Sequence, residues 1–366
     1  MPVTQKDIAK ALNVSQGLVA QVLGNRKDAR ATEETRERIL RMAAEMDYRP
    51  NMAARSLRSG RTHTVMFAYL RPPDDNIRYY HAMIVEKMAE SLGAEGYSLH
   101  VRAFTKPQIL LDSLSDAVAT RTCDLVVLIG SDEVIFEEAA LLTKLDMPFA
   151  VIGRHEVTHP EWLQMDFDHE GMMEGAVSHV YSLGHRRIAF FSHDNLDTYN
   201  LCLRQGFIDA VKARPDVVFR DDFLSQTGPH SPPGADLVEQ WMALPESERP
   251  TALVVATGDR NWVDTEMALA QMGRRVGEAD GDFTITGITA DRYPLILGDA
   301  HAYIVAQTGI DQMADALVNQ LIMPSLKGET IIDPVLRYLP QMERVETSRI
   351  DGLRLAVEDF ISRRTG

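Results

Sequence analysis

Three groupings in this 366-residue chain have residue types and spacings suited to chemistry. Asp166 and Asp168 stand two apart, a candidate carboxylate acid–base pair. His155 and His159 stand at i and i+4, the spacing of two imidazole ligands on one helix turn. Neither reading survives its context. Among 53 Asp and Glu residues such acidic pairs arise by chance, and Pro160 beside His159 argues for a loop. No GxxxxGKS/T and no GxSxG occurs, so phosphate-loop and elbow-nucleophile chemistry have no support. The third grouping is "VSQGLVAQVLGN", Val14 to Asn25, which carries no charge in a chain that is 25% charged. Small residues and Gln suit close contact with something other than water.

The elements that must position this stretch follow from the local pattern. "TQKDIAKAL" reads as a short helix that Thr4 can cap, with Asp7 near its positive end and Ile8 and Leu12 on one face. "NVS" breaks it, and Ser15 can cap a second helix through Leu23, buried through Val19, Val22 and Leu23. A third follows Thr32, with Ile39, Met42, Ala43 and Met46 as its apolar stripe. Two short helices joined by a tight turn and closed by a third predict an all-α helix-turn-helix headpiece over residues 1–48. The second helix of such a unit enters the major groove, where long charged side chains would obstruct contact with base edges.

Charge is partitioned to match. Residues 1–61 hold 12 Lys and Arg against 7 Asp and Glu, whereas the remaining 305 hold 26 against 46. A basic head on an acidic body predicts local phosphate binding with the body held off the polyanion. The 366 residues are enough for two or three domains. No apolar run reaches membrane-spanning length, the start lacks an apolar signal region, and two cysteines (Cys123 and Cys202) build no disulfide framework. These features predict a cytoplasmic protein without a membrane partner.

From Thr64 the pattern becomes β-α alternation. "VMFAYL", "SLHVRAF", "DLVVLI" and "PFAVIG" are followed by "RIAFFS", "ALVVAT" and "FTITGI", with helical stretches between. Alternation predicts parallel sheets flanked by helices, and two sets predict two lobes with a crevice at the strands' C-terminal ends.

"YRPNMAARSLRSGRT" (48–62), with "VTQKDIAKALNVSQGLVAQVL" and "ETRERIL", closely resembles the lac repressor (LacI/GalR) family of bacterial transcription regulators. The body resembles the family's effector-binding core, which shares the type I periplasmic-binding-protein-like fold. Its marks are "GAVSHVYSLGHRRIAFF" (175–191), "RQGFIDAV" (204–211), "PTALVVATGD" (250–259) and "YLPQMERVETS" (338–348). The resemblance implies a homodimeric, operator-binding regulator, most often a repressor, with no cofactor and with a sugar or related carbon metabolite as effector. It implies a hinge helix and linker over 49–61 and an effector core over 62–348. Lobe 1 would take 62–161 and 293–326, and lobe 2 would take 162–292 and 327–348. Residues 349–366 lie past the usual end, with Ile350, Leu353, Val357, Phe360 and Ile361 at helical spacing. That segment suits core packing or dimer reinforcement, with a tetramer-forming tail as the lesser alternative.

The family's DNA contacts map onto Thr4, Lys6, Ser15, Gln16, Gly17, Gln21 and Arg26 in the headpiece. In the hinge they map onto Asn51, Ala54, Arg55, Leu57 and Arg58, with Leu57 as the apolar wedge into a minor-groove step. Its effector contacts map onto Tyr80, His81, Arg154, Phe167, Tyr199, Leu203, Arg204, Phe223, Asp259 and Thr289. Two of these depart from the pattern. The usual Arg is Leu203, and a usual Asp pair is Thr289 and Ala290. Losing both removes charge-assisted bonds to polyols, so either the effector is less polar than a free hexose or Asp259, Arg154, Arg204 or Asp291 takes over. A cleft that binds nothing, a solute-binding protein and a sugar kinase with a DNA-binding head are the competing readings. The last two fail on residues 1–61 and on the missing phosphate loop.

Overall fold

The computed structural model describes residues 3–24, 31–48, 60–71, 75–130, 132–155, 162–193, 198–227, 234–256, 259–278, 282–289, 301–304 and 309–344. The predicted hinge residues 51–58, Arg26, and the predicted tail helix at 349–366 lie outside them. The chain divides into two compact units, Met1–Thr62 and His63–Gly366.

The first unit is built from α1 (Gln5–Leu12), α2 (Gln16–Leu23) and α3 (Glu33–Glu45). Asn13 takes φ 52°, a left-handed conformation that Asn tolerates, and this turns the chain sharply between α1 and α2. Ser15 Oγ accepts from Leu18 N at 3.2 Å, and Thr32 Oγ1 accepts from Thr35 N at 3.3 Å, so both following helices start on capped amides. Ile8, Val19 and Ile39, one from each helix, are fully buried together.

In the second unit one sheet runs β11-β5-β4-β3-β1-β2 and the other β12-β10-β9-β8-β6-β7. The first contains β1 (Thr64–Leu70), β2 (Ser98–Phe104), β3 (Leu125–Ile129), β4 (Phe149–Ile152), β5 (Leu163–Phe167) and β11 (Val335–Tyr338), all parallel. The second contains β6 (Ile188–His193), β7 (Leu224–Thr227), β8 (Ala252–Val255), β9 (Thr284–Thr289), β10 (His301–Ile304) and β12 (Met342–Arg344). Here the parallel expectation fails at one edge, because β12 pairs antiparallel with β10. β3 and β5 are buried at every residue, as strands covered on both faces must be.

The helices are α4 (Asp75–Ala94), α5 (Pro107–Ala119), α6 (Asp132–Lys144), α7 (His169–Ser182), α8 (Thr198–Lys212), α9 (Gly234–Met242), α10 (Asp259–Gln271), α11 (Ile310–Ala316) and α12 (Met323–Lys327). A buried π-helical turn, Leu317–Ile322, joins the last two. The crossings between lobes fall later than the expected 161, 292 and 327. Leu163 pairs with Ala150 and Gln164 with Val335, so β5 and β11 belong to the first sheet. Ala302 pairs with Gly287, so β10 belongs to the second. The chain therefore crosses after β5, between β10 and α11, and between β11 and β12. A loop-like sequence before β5 marks a loop, and only strand pairing decides on which side of it the lobe changes.

α7 and α8 pack closely across Gly206. A Cβ there would lie 2.9 Å from Glu170 Cα, which is backbone and cannot yield by a rotamer change. Gly206→Ala is expected to force the helices apart and cost about 1–3 kcal/mol. Chemical denaturation checks this, and an unchanged midpoint with unchanged slope would refute it.

Candidate DNA-binding head and interlobe cleft

The headpiece presents its charge-free helix to solvent at one end. Ser15, Gln16 and Gly17 are exposed, Gln21 is half-buried one turn further on, and Val19 and Val22 are buried behind them. Gly17 has no internal reason to be glycine. A Cβ there would meet only Ser15 Oγ, at 4.0 Å, and its backbone is not left-handed. Space at an exposed helix start is what close approach of another surface requires. Lys6, in the first turn of α1, is exposed as well. Thr4, an expected cap and DNA contact, closes a capping box at the start of α1. Its Oγ1 donates to Asp7 Oδ2 at 2.6 Å and its main-chain N–H to the same oxygen at 2.8 Å. Those bonds hold the Asp7 carboxyl below its usual range, and Thr4 is thereby a helix cap whose donors are spent.

In the second unit the C-terminal ends of both sheets face a common crevice, and charged groups gather where the lobes meet. Arg154, just after β4, pairs with Glu170 in the first turn of α7, which ties the two lobes. Asp166 at the end of β5 is 5% exposed and stands 3.6 Å from His169 Nδ1. His169 itself is 1% exposed, with Tyr199 edge-on at 4.7 Å. Neither of its ring nitrogens finds a hydrogen bond among the described residues. Arg337 on β11 donates to Gln164 Oε1 at 3.1 Å. Burial works against its charge, Asp166 supports it and Arg154 opposes it.

Tyr80 and His81 enter this crevice from α4. Burial first, then the Asp166 charge and Tyr199, push the Tyr80 hydroxyl well above its usual range. His81 packs edge-on against Tyr69 at 4.9 Å, and burial pulls its imidazole down to about 4. Its Nδ1 has no hydrogen-bond partner among the described residues. Arg204 joins Ser192, His193, Asn200, Leu224 and Gln226 around a cavity of about 230 Å³ at the C-terminal ends of β6 and β7.

Three expected contacts are instead core. Leu203 is fully buried, because Leu203, Gly206, Phe207 and Ala210 form the inward stripe of α8 and leave Arg204 to face the cavity. Phe223 is 1% exposed in the turn before β7, edge-on to Trp241 at 6.2 Å and roofed by Arg220. Phe167 is 3% exposed and edge-on to Tyr338 at 6.1 Å. Asp259 opens α10 and Thr289 ends β9, and their side chains lie outside the described residues. The sequence reading missed Asp166, His169, Glu170 and Arg337 as cleft groups. Arg337 was hidden by the misplaced lobe boundary, whereas a lone Arg inside the short apolar strand "VLRYL" was the available signal.

A helical head with an open, uncharged second helix, followed by a two-sheet α/β core with a polar crevice, fits a DNA-binding regulator as a class. Comparison with known proteins agrees. The family model described as "Bacterial regulatory proteins, lacI family" matches residues 4–51, and a periplasmic binding protein-like domain matches residues 177–291. The transcriptional regulator RafR of Escherichia coli is 27% identical over 286 residues, 75% of this chain and 78% of that one. The sucrose operon repressor of Klebsiella pneumoniae is 48% identical over 64 residues, 17% of this chain and 19% of its own. Among solved structures, the lac repressor dimer bound to operator and the anti-inducer ONPF covers 95% of this chain and 99% of its own, at TM-score 0.64 and 19% identity. A complex of the transcriptional regulator CelR with cellobiose covers 94% and 98%, at TM-score 0.58 and 20% identity.

The head thus carries a lacI-family DNA-binding domain, and the core carries a periplasmic binding protein-like domain. The protein is a DNA-binding transcription regulator and not an enzyme. No described helix is long and apolar enough to cross a membrane.

Proposed function

We propose that this protein is a homodimeric repressor that binds a pseudo-palindromic operator and releases or grips it according to a small polar metabolite, a sugar or related carbon compound, held between its lobes. The observation that carries the reading is the buried pair Asp166 and His169 beside the half-buried Arg337, Arg154 and Glu170 where the lobes meet. Buried charges and unpartnered imidazole nitrogens are costly unless a polar ligand completes them. Arg154, Arg204 and Arg337 supply the charge-assisted donors that Leu203 does not. Relatives with sugar names, the sucrose operon repressor and the cellobiose complex, support the ligand class.

The ligand acts by its differential affinity for two lobe arrangements. The Arg154–Glu170 pair spans the lobes, so any change in their angle alters it. Titration of operator DNA with pure protein, with and without a panel of mono- and disaccharides and sugar acids, tests the proposal. One class should shift operator affinity in the wild type and fail to do so in Asp166→Asn, with ligand-free affinity retained. A panel without effect on either protein would overturn the effector reading.

The head carries a prediction of its own. The family resemblance places a base-reading residue, commonly Arg, at Gln21, and Gln pairs with adenine N6 and N7 as Arg pairs with guanine O6 and N7. Half-sites should prefer an A·T pair at that position by about 1–3 kcal/mol, and Gln21→Arg should move the preference to G·C. Selection from randomised half-sites reads this directly. Guanine returned for the wild type would refute it.

A further inference from the structure

At the end of α7 away from the cleft, three metal-ligating side chains from three separate elements converge. His179 lies in the last turn of α7, Glu278 in the segment before β9, and His301 is the first residue of β10. His179 Nε2 lies 2.8 Å from Glu278 Oε1, and His301 Nδ1 lies 2.8 Å from Glu278 Oε2. One ligand atom from each of the three falls within 4.8 Å of the others. The imidazole ring centroids are 5.0 Å apart. The Glu278 side chain is only 13% exposed, and His301 N–H donates to its Oε1 at 2.8 Å, which fixes the carboxylate.

We propose that His179, Glu278 and His301 form a site for a divalent transition metal ion of the zinc type, outside the effector cleft. Two imidazoles and one carboxylate are a known three-ligand set for zinc, with bonds of about 2.0–2.2 Å and a fourth position left to water. Bonds of that length place ligand atoms of a tetrahedral site roughly 3.3 Å apart. To admit the ion the 2.8 Å contacts open by about 0.5 Å, while the widest pair of ligand atoms, within 4.8 Å, closes toward the same spacing.

His185 is close by but is no fourth ligand, since its two nitrogens are engaged at 2.9 Å by the Thr251 and Thr284 hydroxyls. Ten residues of α7 separate His179 from His169, which sets the site about 15 Å along the helix from the cleft groups that open it. Bound metal would staple α7 to β10, the strand from which the chain returns to the first lobe. The ion would thus stiffen the second lobe without touching the effector.

The test uses the untagged full-length protein, stripped with a chelator and titrated with zinc against a chromophoric competitor, and with cobalt(II) for its visible absorption. One equivalent per chain is expected, with a tetrahedral-type cobalt spectrum and a raised melting temperature. His179→Gln and His301→Gln, each checked for native circular dichroism, should both lose that equivalent, the spectrum and the thermal shift. A wild type that binds no stoichiometric metal would overturn the proposal and leave the cluster as histidines sharing protons with Glu278. An equivalent retained by both variants would overturn it equally, by placing the metal elsewhere.

Discussion

Replacing Leu57 by Ala is expected to weaken operator binding by roughly 30- to 1000-fold, about 2–4 kcal/mol, while the protein stays folded. The expectation rests on the proposed operator function and on sequence. Leu57 is the one large apolar residue in "NMAARSLRSG" apart from Met52, and it stands six residues after Asn51 among small and basic side chains. A Leu inserted at a base step fills the gap that kinking opens, and burying it contributes about 1.5–3 kcal/mol per wedge. A dimer brings two such residues to the centre of its site, and Ala supplies only a fraction of that surface. Phosphate contacts from Arg55 and Arg58 would persist, so the salt dependence of the residual binding should keep its slope. Anisotropy titrations across salt concentrations, with bending read from gel mobility, measure both quantities. Unchanged affinity with unchanged bending would remove Leu57 from the interface. A changed salt slope would mean that the substitution had moved the whole hinge.

The largest expected effect on stability is at Glu138. This residue lies on α6 with 1% of its surface exposed, between the core residues Ile135 and Ala139. Burial, then the neighbouring Glu137 charge, pushes its carboxyl up to about 8 from an ordinary 4.5. In the unfolded chain the proton leaves above about 4.5, whereas the folded chain retains it to about 8. The favourable contribution is therefore complete below pH 4.5 and is lost as pH rises toward 8. Glu138→Gln, nearly the same shape and without charge, should gain on the order of 3 kcal/mol at pH 8 and little at pH 4.5. His81 acts in the opposite direction. Its imidazole is held near 4 when folded, so stability falls as pH drops from about 6.5 toward 4. Denaturant midpoints for wild type and Glu138→Gln from pH 4.5 to 8 decide the matter. Parallel curves would show that a partner keeps Glu138 ionised.

Much of this protein was written in short-range pattern. The caps at Ser15 and Thr32, the buried stripes of α1 to α3, and the alternation of strands with helices are local properties of backbone and hydrophobic spacing, so the headpiece and the two-sheet core could be read directly. The charge partition and the bare second helix pointed to DNA for the same reason, since both concern residues adjacent in sequence. What the sequence left undecided depends on pairing between distant residues. Only the register of β5 against β4 and of β11 against β5 shows that Asp166 and Arg337 share a sheet, 171 positions apart by number. Only helix rotation separates Leu203, turned into the core, from Arg204 at the cavity wall. Phe223 had the right type for ring stacking, and the fold gave it to Trp241 instead. His179, Glu278 and His301 carry no spacing that a reader could notice, because their meeting place is made by a helix end, a loop and a strand start brought together only when the second lobe closes its core.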